Sequence, residues 1–437
     1  MHKLIYIIKI LVIFLISSNS FSKTSSSYLI ANTAMTLFDY EKANIHYNAE
    51  ELNINNFDLE RKLLAFVNSN SFDDAYKIAQ EMLNRDQTNQ ESLLIYLAYS
   101  QKNDLIIAES FKSIIGENQS LNYIFYLNNK LIRDNKKIAE NIFDIVSASA
   151  GNRFDQIKSY DYLLFYLSVC LYLNPVFDEA NFFTAQIYQV IEKYEKAELY
   201  YSKVRKNHDL YIESQKSISI NKKNVNKLTE AENDLLFLLK ENPQDFNLIV
   251  SIGDFYRTIN KYNNAIKYYS KSLNNKQISS EDKWKLFYKR GICYERINNW
   301  ELAEEDFLQS LEIEPESPQV LNYLAYGWIE RNIFLDKSLS MLEIAHEKYP
   351  ESHYILDSLA WAHFKKKNLE IASRLMEEVI YREPGEAISL DHLGDIYFEM
   401  GRKREAFYMW KQAKDLAQPE DNITENIIKK MNDYNAG

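Results

Sequence analysis

Residues 356–384, LDSLAWAHFKKKNLEIASRLMEEVIYREP, are followed by LDHLGDIYFEMGRKREAFYMWKQAKDLAQP at 390–419. Leu359 and Leu393 stand 34 residues apart, as do Ala360 and Gly394, and Ala372 and Ala406. Self-similarity at such a period marks a stack of small units that cannot bury their apolar faces alone. Going backwards, the small residue that opens the second half of each unit recurs at Ser338, Ala303, Ala265, Ala231 and Ala197. From Ala197 to Ala406 the intervals are 34, 34, 38, 35, 34 and 34.

Each unit reads as two helices. The first carries an apolar-small pair, Ile252-Gly253, Leu324-Ala325 or Leu393-Gly394, with an aromatic residue three positions after the small one: Tyr256, Trp328, Tyr397. The small member lets a second helix approach closely, and the aromatic fills the space one turn on. The second helix adds a bulky residue four positions after its own small one, at Tyr201, Tyr269, Phe307, Met376 and Trp410. Pro243, Pro315, Pro350 and Pro384 each fall twelve residues after the small residue, where a residue without an N–H ends the helix.

This pattern resembles the tetratricopeptide repeat from about residue 180 to 419. The resemblance implies an all-α fold, a right-handed superhelical solenoid of antiparallel helix pairs. Ser219 replaces the usual Gly or Ala in a polar first helix expected at 216–226, and inserts lengthen the units near 275–283 and 332–336. Upstream, Ala43, Ala75, Ala108 and Ala139 are 32, 33 and 31 apart, each expected inside a second helix. Residues 23–180 therefore read as degenerate helical pairs of the same stack, or as an α-helical cap of another type. Residues 181–419 are the regular repeats, giving about twelve units in all. After Pro419, Ile423, Ile427, Ile428 and Met431 form an apolar stripe, so 420–437 reads as a capping helix that seals the last face.

Composition agrees with a continuous helical array. The 437 residues include only 9 Gly and 7 Pro, while 46% are hydrophobic and 14% aromatic, which excludes collagen, flexible linkers and a disordered chain. Residues 1–22, MHKLIYIIKILVIFLISSNSFS, place Lys3 and Lys9 before the apolar run Ile10–Ile16 and the small residues Ser20 and Ser22 around Phe21. That is the layout of a cleavable signal peptide, with cleavage expected after Ser22 and a periplasmic location. An uncleaved inner-membrane anchor is the alternative, although Lys9 interrupts an apolar stretch shorter than the ~20 residues a span needs. No Cys follows the apolar run, so no lipid anchor is expected there. Cleavage removes Lys3 and Lys9 and no acid, taking the formal charge from −11 to −13. Nucleic acid is therefore not an expected partner, since phosphate binding needs a basic face. Cys170 and Cys293, 123 residues apart, read as two buried thiols rather than a disulfide.

The function class follows from what a helical stack offers, a long groove built from first helices and no closed cavity for converging catalytic groups. In the last units, the residues not used for packing are Asn322, Tyr323, Tyr326, Tyr354, Asp357, Trp361, Phe364, Asp391, His392, Asp395 and Phe398. Carboxylates and aromatics dominate. An extended peptide with apolar side chains and some Lys or Arg suits that surface, with Trp361 and Phe364 expected to be exposed; a merely solvated polar face is the alternative. Asp357, Asp391 and Asp395 occupy positions where members of the repeat family that clamp a carboxylate carry Lys and Asn, so that mode is not expected. Asp391, His392 and Asp395 share a helix face, but supply too few ligands for a metal site. No HExxH, GxSxG or phosphate-binding Gly loop is present, so no enzyme, cofactor or metal is expected.

The run from Asn322 to Ala372, with DHLGDIYFEMGRKREAFYMWKQA after it, resembles the C-terminal half of a proteobacterial family of exported repeat proteins, over roughly 317–415. Members of that family include outer-membrane lipoproteins that act as adaptors for a periplasmic carboxyl-terminal processing protease. The resemblance implies a scaffold or adaptor in a Gram-negative periplasm that binds protein partners, the protease among them. A factor for cell-envelope or outer-membrane assembly is the alternative.

Overall fold

The computed structural model describes residues 23–48, 56–128, 130–150, 160–275 and 278–436. Residues 1–22, where the sequence leads one to expect a signal peptide, lie outside the described residues. The chain is all-α, with 24 α-helices and one two-stranded hairpin among the described residues. It divides into two compact units, 1–238 and 239–437.

The first unit contains α1 (Lys23–Thr36), α2 (Tyr40–Asn48), α3 (Asn56–Asn68), α4 (Phe72–Arg85), α5 (Gln90–Lys102), α6 (Glu109–Glu117) and α7 (Gln119–Phe125). A hairpin follows, β1 (Tyr126–Leu127) antiparallel to β2 (Lys130–Leu131), with Tyr126 opposite Leu131. Then come α8 (Asn135–Ala150), α9 (Tyr160–Leu173), α10 (Asp178–Val190), α11 (Tyr194–Tyr201) and α12 (Tyr211–Asn224), and α13 (Leu228–Glu241) crosses the boundary between the units. Ala43, Ala75 and Ala139 are fully buried within helices. Ala108 is not: it is the exposed N-cap of α6, and Ile107 beside it turns inward instead. The polar first helix expected at 216–226 spans Tyr211–Asn224, with Ser219 buried.

This unit departs from simple stacking at α9. Its sequence YDYLLFYLSVCLYL is apolar on nearly every side, and every residue from Leu163 to Leu173 is buried or half-buried. It packs on α3 and α5 as well as on its chain neighbours α8 and α10. Tyr40 donates to Asp161 at 2.6 Å, and the Asn68 amide to the Asp161 carbonyl at 3.1 Å, tying segments about a hundred residues apart.

The second unit is regular: α14 (Phe246–Thr258) with α15 (Tyr262–Leu273), α16 (Ser280–Arg296) with α17 (Trp300–Ile313), α18 (Pro318–Glu330) with α19 (Leu335–Lys348), α20 (His353–Lys365) with α21 (Leu369–Arg382), and α22 (Ala387–Glu399) with α23 (Lys403–Leu416). A short 3-10 turn (Pro419–Asp421) leads to α24 (Thr424–Ala436). Helix starts are capped locally, the side chains of Asp245, Ser279 and Ser352 each accepting from the backbone N–H three residues on. Pro315, Pro350 and Pro384 follow helix ends by two residues.

Contact between the helices of a pair has one recurring form. Ala265, Ala303, Ser338, Ala372 and Ala406 are fully buried. A Cβ on Gly253 would lie 2.6 Å from the Tyr269 ring, on Gly291 2.7 Å from Phe307, and on Gly394 2.4 Å from Trp410. The bulky residue of the second helix therefore sits in the notch that the small residue of the first leaves. The turn between the two helices also repeats. Asn260, Asn298, Lys367 and Gly401 take positive φ five residues before the buried small residue, and Asn332 does so six before it, where the insert adds Phe334 in the same conformation. The next N–H reaches back to the carbonyl five residues earlier, Lys261 to Tyr256 at 2.9 Å and Arg402 to Tyr397 at 2.8 Å, which closes the first helix.

Beyond α23, Ile427 is fully buried, with Ile423 and Met431 partly buried against the last core cluster, whereas Ile428 faces outward. Lys430 Nζ lies 2.8 Å from Asp391 and 2.8 Å from Asp395. Cys170 and Cys293 are both buried free thiols, and burial pushes Cys293 up to about 12, away from nucleophilic reactivity. Among the described residues, no helix is long and apolar enough to cross a membrane.

Candidate functional site

Helical spacing divides each first helix of the second unit into two faces. On α18, Leu321, Leu324, Ala325 and Trp328 are buried in the stack, while Gln319, Asn322, Tyr323, Tyr326 and Glu330 recur at three- and four-residue steps on another side. On α20 the corresponding set is His353, Tyr354, Asp357 and Ser358, and around the start of α22 it is Glu386, Ser389 and His392. With Tyr288, Glu295 and Arg296 of α16 and with Trp300, these residues line one open cavity of about 780 Å3. That volume is in the range of sites that hold a ligand or a short stretch of chain.

Asp357 organises one wall. Ser389 donates to its Oδ2 at 2.6 Å, and His392 Nδ1 lies 3.0 Å from its Oδ1. Burial by itself would lower the His392 pKa, but the charge and hydrogen bond of Asp357, with the charges of Asp391 and Asp395, outweigh it and raise the value. The imidazole is thus held by Asp357 and stacks on Trp361, ring centroids 4.0 Å apart. Burial raises the Tyr326 hydroxyl far above its ordinary range, and the charges of Glu330, Asp357, Glu295 and Asp391 add to the effect, so Tyr326 stays a neutral donor and acceptor.

Of the eleven groove residues read from the sequence, the structure brings Asn322, Tyr323, Tyr326, Tyr354, Asp357 and His392 together on the cavity. The other five have different surroundings. Trp361 is 5% exposed, so its expected exposure is corrected: it lies between Phe364 and His392, and its Nε1 donates to Glu330 at 2.6 Å. Phe364, expected exposed, is half-buried beneath that stack. Asp391 is buried against Lys430, and Asp395 binds both Lys430 and Trp410 Nε1. Phe398 is exposed, beside Trp410 and away from the cavity. The shared face of Asp391, His392 and Asp395 is therefore split between two partners, Asp357 for the imidazole and Lys430 for the carboxylates. Among the described residues, no group of three His, Cys, Asp or Glu side chains could hold a metal ion.

Tyr288, Trp300, Arg331 and Glu386 also line the cavity and were not singled out in the sequence. Repeat arithmetic reaches Tyr288, 35 residues before Tyr323. Trp300 and Arg331 lie at helix ends, outside the first-helix pattern. The Arg331 guanidinium rests 3.9 Å above the Trp300 ring and donates to the Gly327 carbonyl at 2.9 Å.

The tetratricopeptide repeat family model matches residues 247–277, the segment that contains α14 and α15. A tetratricopeptide-repeat-containing protein of Pseudomonas aeruginosa, PA4667, is 27% identical over 110 residues; the match covers 25% of this chain and 18% of that protein's length. Among solved structures, a tetratricopeptide repeat protein from Parabacteroides merdae aligns with 57% of this chain and 97% of its own, at 18% identity and a TM-score of 0.46. The Cut9–Hcn1 hetero-tetramer of the APC/C aligns with 94% of this chain and 83% of the solved chain, at 14% identity and a TM-score of 0.47. The match to the family model is thus to one repeat of the second unit, residues 247–277.

Proposed function

We propose that the protein is an adaptor of the Gram-negative periplasm that holds an extended segment of a partner protein in the cavity of its second unit and does no chemistry itself. The observation that carries this reading is the cavity: about 780 Å3, lined by four successive repeats, with exposed Tyr354 and half-buried Tyr323 and Tyr326 on its walls. Exposed aromatics beside polar groups suit a chain that offers apolar side chains and main-chain amides in alternation. Two of the cavity's carboxylates are already engaged, Asp357 with Ser389 and His392, and Glu330 with Trp361. The layout of residues 1–22 supports export, and the resemblance over 317–415 points to a carboxyl-terminal processing protease as one partner. An envelope-assembly factor is the second reading, and it shares the export signal and the groove.

The experiment is fractionation of cells carrying the tagged full chain, followed by crosslinked affinity capture. The adaptor reading expects the chain in the periplasmic fraction, a processing protease in the captured material, and slower turnover of that protease's substrates when the gene is deleted. Unchanged turnover with capture of outer-membrane assembly components would replace it by the second reading. A hydrolase activity of the purified chain that His392→Ala abolishes would overturn the non-enzymatic assignment.

A further inference from the structure

Four carboxylates line the cavity of the second unit, and three of them are already engaged. Glu295 lies 3.5 Å from Arg296; Glu330 accepts from Trp361 and lies 3.9 Å from Lys365; Asp357 holds Ser389 and His392. Glu386 is different. It is the N-cap residue of α22, but its side chain makes no cap hydrogen bond, and among the described residues its carboxylate has no ion pair and no hydrogen bond. Burial raises its pKa, and the charges of Asp421, Asp357 and Glu383 push it further up while His353 opposes them. With three carboxylates around it and only His353 opposing them, this carboxylate favours a further cation beside it.

Two further groups of the cavity are unsatisfied. Asn322 is 9% exposed, and its carboxamide makes no hydrogen bond among the described residues, with Oδ1 buried and unpartnered. Oδ1 itself is closed off, so it is the rest of the Asn322 carboxamide, on the cavity wall, that a ligand's polar group can meet. Tyr354 is 55% exposed, and its only ring neighbour among the described residues is His353. An exposed ring near a lone carboxylate is a surface along which an alkyl stem can lie, with a cation at its end.

We infer that the cavity selects a lysine or arginine side chain of the partner segment, with the cation at Glu386, the stem along Tyr354 and a main-chain group at Asn322. The inference rests on the segment-binding reading above and adds the chemistry of what is bound. The bound cation and the Glu386 carboxylate attract as opposite charges, so affinity falls as salt rises.

The test pans a phage library of random dodecapeptides on the full chain and measures fluorescein-labelled winners by anisotropy. The expected winners share one Lys or Arg position, and norleucine there weakens binding about tenfold. Glu386→Gln weakens the parent peptide by about the same factor and leaves the norleucine peptide unchanged, while the melting curve of the variant matches the wild type. If winners lack a common basic position, or norleucine costs as much in Glu386→Gln as in the wild type, while Tyr354→Ala still abolishes binding, the basic-residue inference falls and segment binding stands. If no peptide is enriched, or the winners ignore both Tyr354→Ala and Glu386→Gln, both readings fall.

Discussion

At the residue scale, the glycines of the second unit are defined by the Cβ they lack. Gly394 meets the Trp410 ring, which is 3% exposed and fixed through Nε1 to Asp395, so the ring cannot swing away. Gly394→Ala is expected to destabilise the unit by about 1–3 kcal/mol. Gly385→Ala, whose new Cβ would meet nothing closer than Glu383 Oε1 at 3.9 Å, should stay within about 0.5 kcal/mol. All five tryptophans, Trp284, Trp300, Trp328, Trp361 and Trp410, lie in the second unit, so urea melting followed by tryptophan fluorescence reports on that unit alone. His392 supplies a pH signature. Its folded-state pKa is raised above the unfolded value of about 6.5, so its stabilising contribution is complete below that value and is lost as pH rises through the folded one. Fluorescence melts between pH 6 and 9 should therefore lose stability with rising pH, and His392→Gln should flatten that slope; an unchanged slope would remove the Asp357–His392 pair as its cause. The notches were legible in the sequence, because small and bulky residues recur at fixed offsets. The burial of Trp361 was not, because what covers it, His392, comes from the next repeat and lies 31 residues away.

At the element scale, the turn inside each repeat is as regular as the helices it joins. Asparagine at 260, 298 and 332 tolerates the left-handed conformation that most side chains avoid, and the same conformation recurs in the first unit at Asn70 and Asn226, five residues before Ala75 and Ala231. This mark was present in the sequence, but turn asparagines are common, and only the φ angles separate these from the rest. Helix α9 shows the opposite limit. Its unbroken apolar run signals burial without saying against which partners, and the contacts with α3 and α5 depend on tertiary packing that periodicity does not encode. The terminal helix α24 is joined to the last repeat by Ile427 and by Lys430. Removing the Lys430 cation leaves Asp391, 6% exposed, without its counter-charge. Lys430→Ala should destabilise the second unit by about 2 kcal/mol in the same fluorescence melt, and Lys430→Ala combined with Asp391→Asn should recover part of the loss.

At the scale of the whole molecule, each helix of the second unit touches its sequence neighbours and the next first helix, as α18 touches α20 and α20 touches α22. Stability in such an array is a sum over pairs and the junctions between them, not a property of one shared core. The first unit has the same kinds of element with longer-range ties, and its single large core cluster runs from Ala31 to Ile218. The formal charge of −11 is spread over both units, which favours a basic partner and opposes a polyanionic one. Fold class was therefore open to reading from spacing alone. The cavity residues were half open to it, since spacing identifies a helix face but not which side chains of that face are claimed by the next helix.

The recurring left-handed turn also bears on how such a chain can grow. Because the turn residue and the small residue after it fix where one helix ends and its mate begins, they act as a register mark that each repeat carries for itself. The extra residue between Asn332 and Ser338 is taken up inside the turn by Phe334, and α18 and α19 on either side keep their full thirteen and fourteen residues. A gene that duplicates one such segment gains a folded module in frame with its neighbours, so the length of the groove can change by whole repeats under selection while each existing repeat keeps its own internal contacts.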